Sequence, residues 1–292
     1  MKHGAAIVLA LAASALPAAA SVVRGIEYDD SGRATSRGDL FLPAAASADT
    51  PVVLVIHGGG WTSMCRADLE GIARFFCDDL GFAAFNVDYR LASPSCRWPA
   101  CGDDCVAAAR FVLSPRFAAL SGLAPKKIWI CGGSAGGHLV LWTALSLPRD
   151  KVAGAVAISP IGDPLPDFEK HPDRYRALLG EDASPRLSEV DPRRLIDGAG
   201  PPILITHAFA DQVVPLESSL SFARAYSAAG GDCELHMYSA SLEPNKGGHF
   251  IWRTGSKPNR LLASLERRIA LFVRSRLPPR AAPLGLTGGE VK

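Results

Sequence analysis

The chain has 292 residues, of which 48% are hydrophobic and 21% charged, and its formal net charge is +2. That length holds one large α/β domain with a full core, or two small ones, and the balance is that of an ordinary globular chain. Lysines and arginines are scattered, so no basic surface for nucleic acid is expected.

Residues 1–20, MKHGAAIVLALAASALPAAA, have the build of a secretory signal peptide. Lys2 gives the positive start, Ala5 to Leu16 the apolar stretch, and Ala18-Ala19-Ala20 a small-residue cleavage site before Ser21. The apolar run is too short to span a bilayer, and no later run is longer. The expectation is an exported protein without a membrane span, with a domain over 21–277 and a disordered Pro- and Gly-rich tail over 278–292. The seven cysteines suit an oxidising compartment, where one or two disulfides and an odd thiol are expected among Cys65, Cys77, Cys96, Cys101 and Cys105. Cys131 and Cys233 read as core residues, the spacing matches no zinc pattern, and the pairing stays open.

Val22–Tyr28 and Asp39–Leu42 read as short strands around the turn Asp30-Ser31-Gly32, followed by a small-residue linker. Pro51–Ile56 (PVVLVI) is a continuous β-branched run, which marks a parallel strand buried on both faces. It ends at His57-Gly58-Gly59-Gly60-Trp61. Residues 66–80 have helical spacing, with Leu69, Ile72, Phe75 and Phe76 on one face. Phe82–Val87 is a second buried strand, a helix is expected over about Asp103–Leu113, and Ile128–Ile130 leads into a glycine-rich turn and another helix. Val152–Ile158 and Pro202–Thr206 are strands separated by a Pro-, Asp- and Arg-rich stretch at 160–200 with short helices. Leu216–Ala229 is helical, Cys233–Tyr238 a strand, Ser241–His249 a polar loop, and Pro258–Leu277 a long amphipathic helix. Its arginines (Arg267, Arg268, Arg274, Arg276, with Arg280 beyond) read as a solvated face. Strand and helix alternate without a repeat or a domain-sized linker. The fold class is therefore α/β, a mostly parallel doubly wound sheet with an antiparallel N-terminal edge.

The chemistry gathers around Gly132-Gly133-Ser134-Ala135-Gly136, a G-x-S-x-G turn between strand and helix. Such a turn lifts the serine Oγ clear of the sheet at a helix N-terminus, although glycine-rich strand-to-helix turns also bind phosphate. A serine needs a base to take its proton and an acid to orient that base, in the chain order serine, acid, histidine. His138, His171, His207 and His236 read as structural. His249, in the loop Lys246-Gly247-Gly248-His249 after the last strand, reads as the base, and Asp211, in the loop after PILIT, as the acid. Asp182, Asp191 and Asp197 are weaker candidates because none directly follows a buried strand, and Asp232 faces the wrong end of the sheet. For the oxyanion, one donor is expected from the amide of Ala135 and others from the turn His57-Gly58-Gly59-Gly60, with His57 bracing that loop.

In these residues the chain resembles α/β-hydrolase carboxylesterases related to hormone-sensitive lipase. The closer likeness is to the branch containing bacterial feruloyl and acetyl esterases and kynurenine formamidases. His57-Gly58-Gly59-Gly60-Trp61, Asp88-Tyr89-Arg90, Gly132 to Leu139, Asp211 to Pro215 and Gly248-His249 carry the resemblance, which spans nearly all of the chain after its leader. It implies Gly59, Gly60 and Ala135 as oxyanion donors, structural roles for Asp88 and Arg90, and serine ester hydrolysis of a small-molecule substrate without metal or organic cofactor. Aryl-formamide hydrolysis is the rival reaction, and a non-catalytic binding module the rival class. Two features depart from the pattern. His207-Ala208 stands where relatives have His-Gly, and only a short edge segment precedes the sheet, so no large cap is expected. The 160–200 stretch is then expected to form much of the pocket; Trp61, Trp98, Phe168, Phe209 and Trp252 are candidates for an aromatic lining, with buried core the commoner fate of such residues.

Overall fold

The structure is a computed structural model and describes residues 20–239, 246–253, 256 and 259–277. Of the leader expected over residues 1–20 only Ala20 is described, and the tail at 278–292 lies outside the described residues. Eight strands form one sheet: β1 (Ser21–Glu27), β2 (Arg37–Leu42), β3 (Val52–Ile56), β4 (Ala83–Val87), β5 (Ile128–Gly133), β6 (Val152–Ile158), β7 (Ile203–Ala208) and β8 (Cys233–Tyr238), in the order β1-β2-β4-β3-β5-β6-β7-β8. β1 and β2 pair antiparallel at one edge, and every pairing from β4 through β8 is parallel.

The uninterrupted apolar runs are explained by helices on both faces. In β3, Val52, Leu54 and Ile56 point into one core, and Val53 and Val55 into the other, as the two-residue side-chain period requires. The first core is closed by α2 (Ala100–Val112), α3 (Pro115–Ser121), α4 (Ala135–Ser146) and α7 (Leu216–Ala228). The second is closed by α8 (Ala263–Arg274) and by a helical segment of changing pitch, which runs as a 3₁₀ turn at Arg66–Leu69, as α1 (Glu70–Arg74), and as a π turn at Phe75–Asp79. The 160–200 stretch folds into α5 (Pro164–Lys170), α6 (Pro172–Leu179) and two 3₁₀ turns, Ser184–Val190 and Pro192–Leu195, and no large cap stands over the sheet.

Several expectations need correcting. All seven cysteines are free, so the expected disulfides are absent. The sheet separates Cys77, in the second core, from Cys101 and Cys105, in the first. Those two leave α2 one turn apart and in the same direction, a poor geometry for a bridge. Helix α8 is shorter than its apolar spacing suggested, and its arginines are not simply solvated. Arg268 pairs with Glu234, while Arg276 bonds Asp232 and Glu234 at 2.9 Å each and lies over the Phe272 ring. The acids on edge strand β8 face that helix, which its own sequence does not reveal. Arg267 and Arg274 are exposed, and Arg280 lies outside the described residues.

Candidate active site

The residues singled out above lie at the carboxyl ends of parallel strands, where the loops of a doubly wound sheet converge. Ser134 joins β5 to α4 with φ 58° and ψ −126°, a left-handed conformation that costs a non-glycine residue roughly 1–3 kcal/mol. The surrounding glycines make the turn possible. A Cβ on Gly136 would sit 2.3 Å from the carbonyl oxygen of Ile56 and 2.5 Å from that of His57, and one on Gly132 would sit 2.4 Å from Ile56 O. The glycine on either side of the serine thus lets the end of β3 press against the turn. The Ser134 amide donates to Ile158 O at 2.8 Å, which ties the turn to β6.

Asp211 follows β7, and its two oxygens divide their partners. Oδ1 accepts from the amides of Val213 (2.8 Å) and Val214 (2.9 Å), and Oδ2 lies 2.9 Å from Nδ1 of His249. The Asp211 side chain is fully buried and that of His249 is 8% exposed. Burial alone would raise the Asp211 carboxyl. The hydrogen bond and charge of His249, the Val214 amide and the nearby His207 outweigh it and hold the group below the usual carboxylate range. With Nδ1 turned to the carboxylate, Nε2 is the nitrogen left to act as a base.

The histidine loop is fitted to the aspartate loop by backbone contacts. Gln212 N donates to Lys246 O (3.1 Å), and the Tyr238 hydroxyl donates to Gly248 O (2.8 Å). Gly247, at φ 70°, lies so close to Ala210 that a Cβ would fall 1.7 Å from its carbonyl oxygen. A side chain here would push His249 away from Asp211.

The loop after β3 is braced from below. His57 is buried, stacks on Tyr89 at 4.1 Å, and Nδ1–H donates to Gly58 O at 2.9 Å. Burial pushes its pKa down, so it stays neutral. The Tyr89 hydroxyl donates to the carbonyls of His57 and Gly58, each at 3.0 Å. Asp88 accepts from the Arg66 amide, and Arg90 forms a two-pronged pair with buried Asp104, so both serve the scaffold. Gly59 (φ 94°) and Gly60 (φ 58°) leave their amides without an acceptor among the described residues, as the loop turns back through Ser63 N→Gly59 O at 3.1 Å. Ala135 heads α4, where an amide has no acceptor inside the helix.

Ser134 and His249 line one cavity of about 600 Å³, together with Gly58, Gly59 and Gly60. Asp211 stands behind His249. The other histidines are occupied elsewhere. His138 is buried, accepts from the Trp61 indole (3.2 Å) and donates to Val190 O (2.7 Å). His207 accepts from Ser219 (2.7 Å) and donates to Val214 O (3.1 Å), His236 lies in β8, and His171 sits between α5 and α6. The alternative acids are engaged too: Asp191 with Arg193, Asp197 with Arg149 and Asp232 with Arg276, while Asp182 is exposed. No group of three His, Cys, Asp or Glu among the described residues is arranged to hold a metal ion.

One expectation about the pocket fails. The 160–200 stretch contributes only Arg174 to the lining among the described residues, because its apolar side chains (Ile161, Tyr175, Leu178, Leu179, Val190) join the core instead. Of the five aromatics proposed for the lining, only Trp252 is there; Trp61 and Trp98 are core, Phe168 packs on Tyr175, and Phe209 is exposed. Met64, Leu69, Val213, Phe250 and Ile251 supply the apolar wall instead. Their positions depend on loop packing, and no local pattern announces them. Arg174 was missed for the same reason.

The fold and this set of strand-end loops are those of an α/β-hydrolase. Residues 39–226 match the BD-FAE family, and the chain belongs to that family. Among curated proteins it is similar to the versiconal hemiacetal acetate esterase of Emericella nidulans, 35% identical over 134 residues, which are 44% of this chain and 42% of that protein. The chain thus matches less than half the length of that relative. Among solved structures, a truncated carbohydrate esterase from gut microbiota superposes with TM-score 0.72 over 90% of this chain and 98% of that one; at 19% identity the likeness is one of fold. A propionate-bound thermophilic esterase from Thermogutta terrifontis is 26% identical, with TM-score 0.62 over 88% of this chain and 92% of that one.

Proposed function

We propose that this protein hydrolyses small carboxylic esters through an acyl-enzyme on Ser134, with His249 as general base and Asp211 as its orienting acid. The observation that carries the proposal is the 2.9 Å contact between His249 Nδ1 and Asp211 Oδ2, with His249 and Ser134 at one cavity. Ser134 Oγ attacks the ester carbonyl carbon as its proton passes to His249 Nε2. The amides of Gly59, Gly60 and Ala135 receive the oxyanion, and fixed backbone donors do so with little reorganisation. Collapse breaks the bond to the alcohol oxygen, which leaves with the proton from His249. A water then gives its proton to the same nitrogen, attacks the acyl carbon, and releases the acid and the free serine.

The esterase names of the relatives and structural neighbours favour esters over aryl formamides as substrates. The leader-like residues 1–20 support export as part of the same proposal. Turnover of p-nitrophenyl acetate is the test. Ser134→Ala is expected to lower kcat on the order of 10⁴-fold or more; retention of most activity would remove Ser134 as nucleophile.

A further inference from the structure

Arg174, in α6, reaches the lining of the cavity. Its stem lies beside the oxyanion loop: a Cβ built on Gly60 would find Arg174 Cδ at 4.0 Å as its nearest neighbour. The guanidinium is anchored from behind, where Nη1 donates to Oδ1 of Asp167 at 3.1 Å and reaches Val213 O at 3.5 Å. Nε and Nη2 have no acceptor among the described residues.

The anchor itself is unusual. The Asp167 side chain is fully buried, with the Tyr175 hydroxyl beside it, and its Oδ2 lies beyond ordinary hydrogen-bond distance of any described partner. A buried acid in that state is costly unless it positions something. Burial pushes its carboxyl up to about 6, against the pull of Arg174. Among the described residues no Asp or Glu lines the cavity, whose wall beside Arg174 is largely apolar. A planar fork of N–H donors over an apolar pocket is matched to a carboxylate, which accepts two such bonds side by side.

We infer that Arg174 is a substrate-binding residue that selects esters carrying a second, ionised carboxylate, which the guanidinium receives through Nε and Nη2 while the ester carbonyl lies at Ser134. This rests on the esterase reading above. The carboxylate belongs to either the acyl or the alcohol half of the ester, and two pairs of probes separate these. For the acyl half the pair is mono-p-nitrophenyl glutarate and its methyl-capped neutral analogue. For the alcohol half it is 4-acetoxybenzoate and its methyl ester.

The readout is the ratio of kcat/KM for the charged probe to that for its neutral twin, corrected for uncatalysed hydrolysis. In at least one pair, Arg174→Gln is expected to lower the ratio about tenfold or more, as loss of a charge-assisted hydrogen bond does. Arg174→Lys should fall between, since it keeps the charge and loses the fork. Arg174→Gln strips the buried Asp167 of its partner, so the double variant Asp167→Asn/Arg174→Gln is measured beside it as the fold-preserving form and should show the same drop. An unchanged ratio in both pairs, with the variants folded and active, would overturn the inference. Ser134→Ala is run on all four probes: if it retains turnover, the esterase reading has failed, whatever the ratios show.

Discussion

Asp211 is the residue on which the proposed chemistry turns most sharply, because each of its oxygens has its own partners. Oδ1 is tied to two backbone amides and fixes the loop, and Oδ2 is given to His249. Asp211→Asn separates these tasks. The amide oxygen still accepts from Val213 and Val214, so the loop survives, while an NH₂ turned to Nδ1 demands the wrong imidazole tautomer. We expect kcat to fall on the order of 10³- to 10⁴-fold with the thermal midpoint nearly unchanged. A loss of less than tenfold would show that another group orients the base. His207 is the obvious substitute, its Nε2 lying 3.4 Å from the same oxygen, but as a donor committed to Val214 O that nitrogen cannot accept the hydrogen bond of His249 Nδ1–H.

At the scale of elements, His138 links three pieces of chain. From α4 it holds Trp61 at the end of the glycine loop and Val190 in a 3₁₀ turn, and Trp61 in turn meets Tyr175 of α6 edge-on at 5.5 Å. Both bonds need the neutral ring with its proton on Nε2. Burial outweighs the pull of the Val190 carbonyl and of Asp191 and brings its pKa down to about 4 from 6.5. A histidine depressed in this way stabilises the fold fully above about 6.5, and that stability is lost as pH falls toward 4, by about 3 kcal/mol at the limit. Asp167 acts with the opposite sign. Its carboxyl is raised by burial to about 6, so the folded state gains as pH falls from 6 toward 3.8. The wild-type curve mixes the two, and the difference between wild type and His138→Gln isolates the histidine. Urea unfolding at pH 7 and pH 4.5 should show the wild type losing more stability than the variant. Equal losses would mean that His138 does not stay neutral in the folded protein.

Across the whole molecule, what was legible in the sequence is what local rules decide. PVVLVI, VAGAVAI and PILIT read as buried strands because a strand covered on both faces has no polar side to alternate with. Gly132 and Gly136 marked the serine turn because carbonyls of the neighbouring strand's end leave no room for a Cβ. Asp211 and His249 were singled out because each follows a strand in the expected order, and the structure brings their side chains to 2.9 Å. What stayed hidden depends on how separated elements pack. Nothing in His-Pro-Asp-Arg tells that Arg174 reaches the cavity, and the sequence of α8 does not show Glu234 waiting opposite Arg268. Cysteines in a chain expected to be exported, three of them close together (Cys96, Cys101 and Cys105), suggested bridges, yet all seven are free and the sheet lies between Cys77 and Cys105. The central claim, that these strand ends make one nucleophilic site, is tested most directly by treating the protein with a fluorophosphonate and mapping the adduct by mass spectrometry. The account predicts one phosphonyl group per chain, on Ser134, with turnover lost in proportion and no labelling of Ser134→Ala. An unlabelled chain that still turns over ester, or an adduct on another residue, would contradict it.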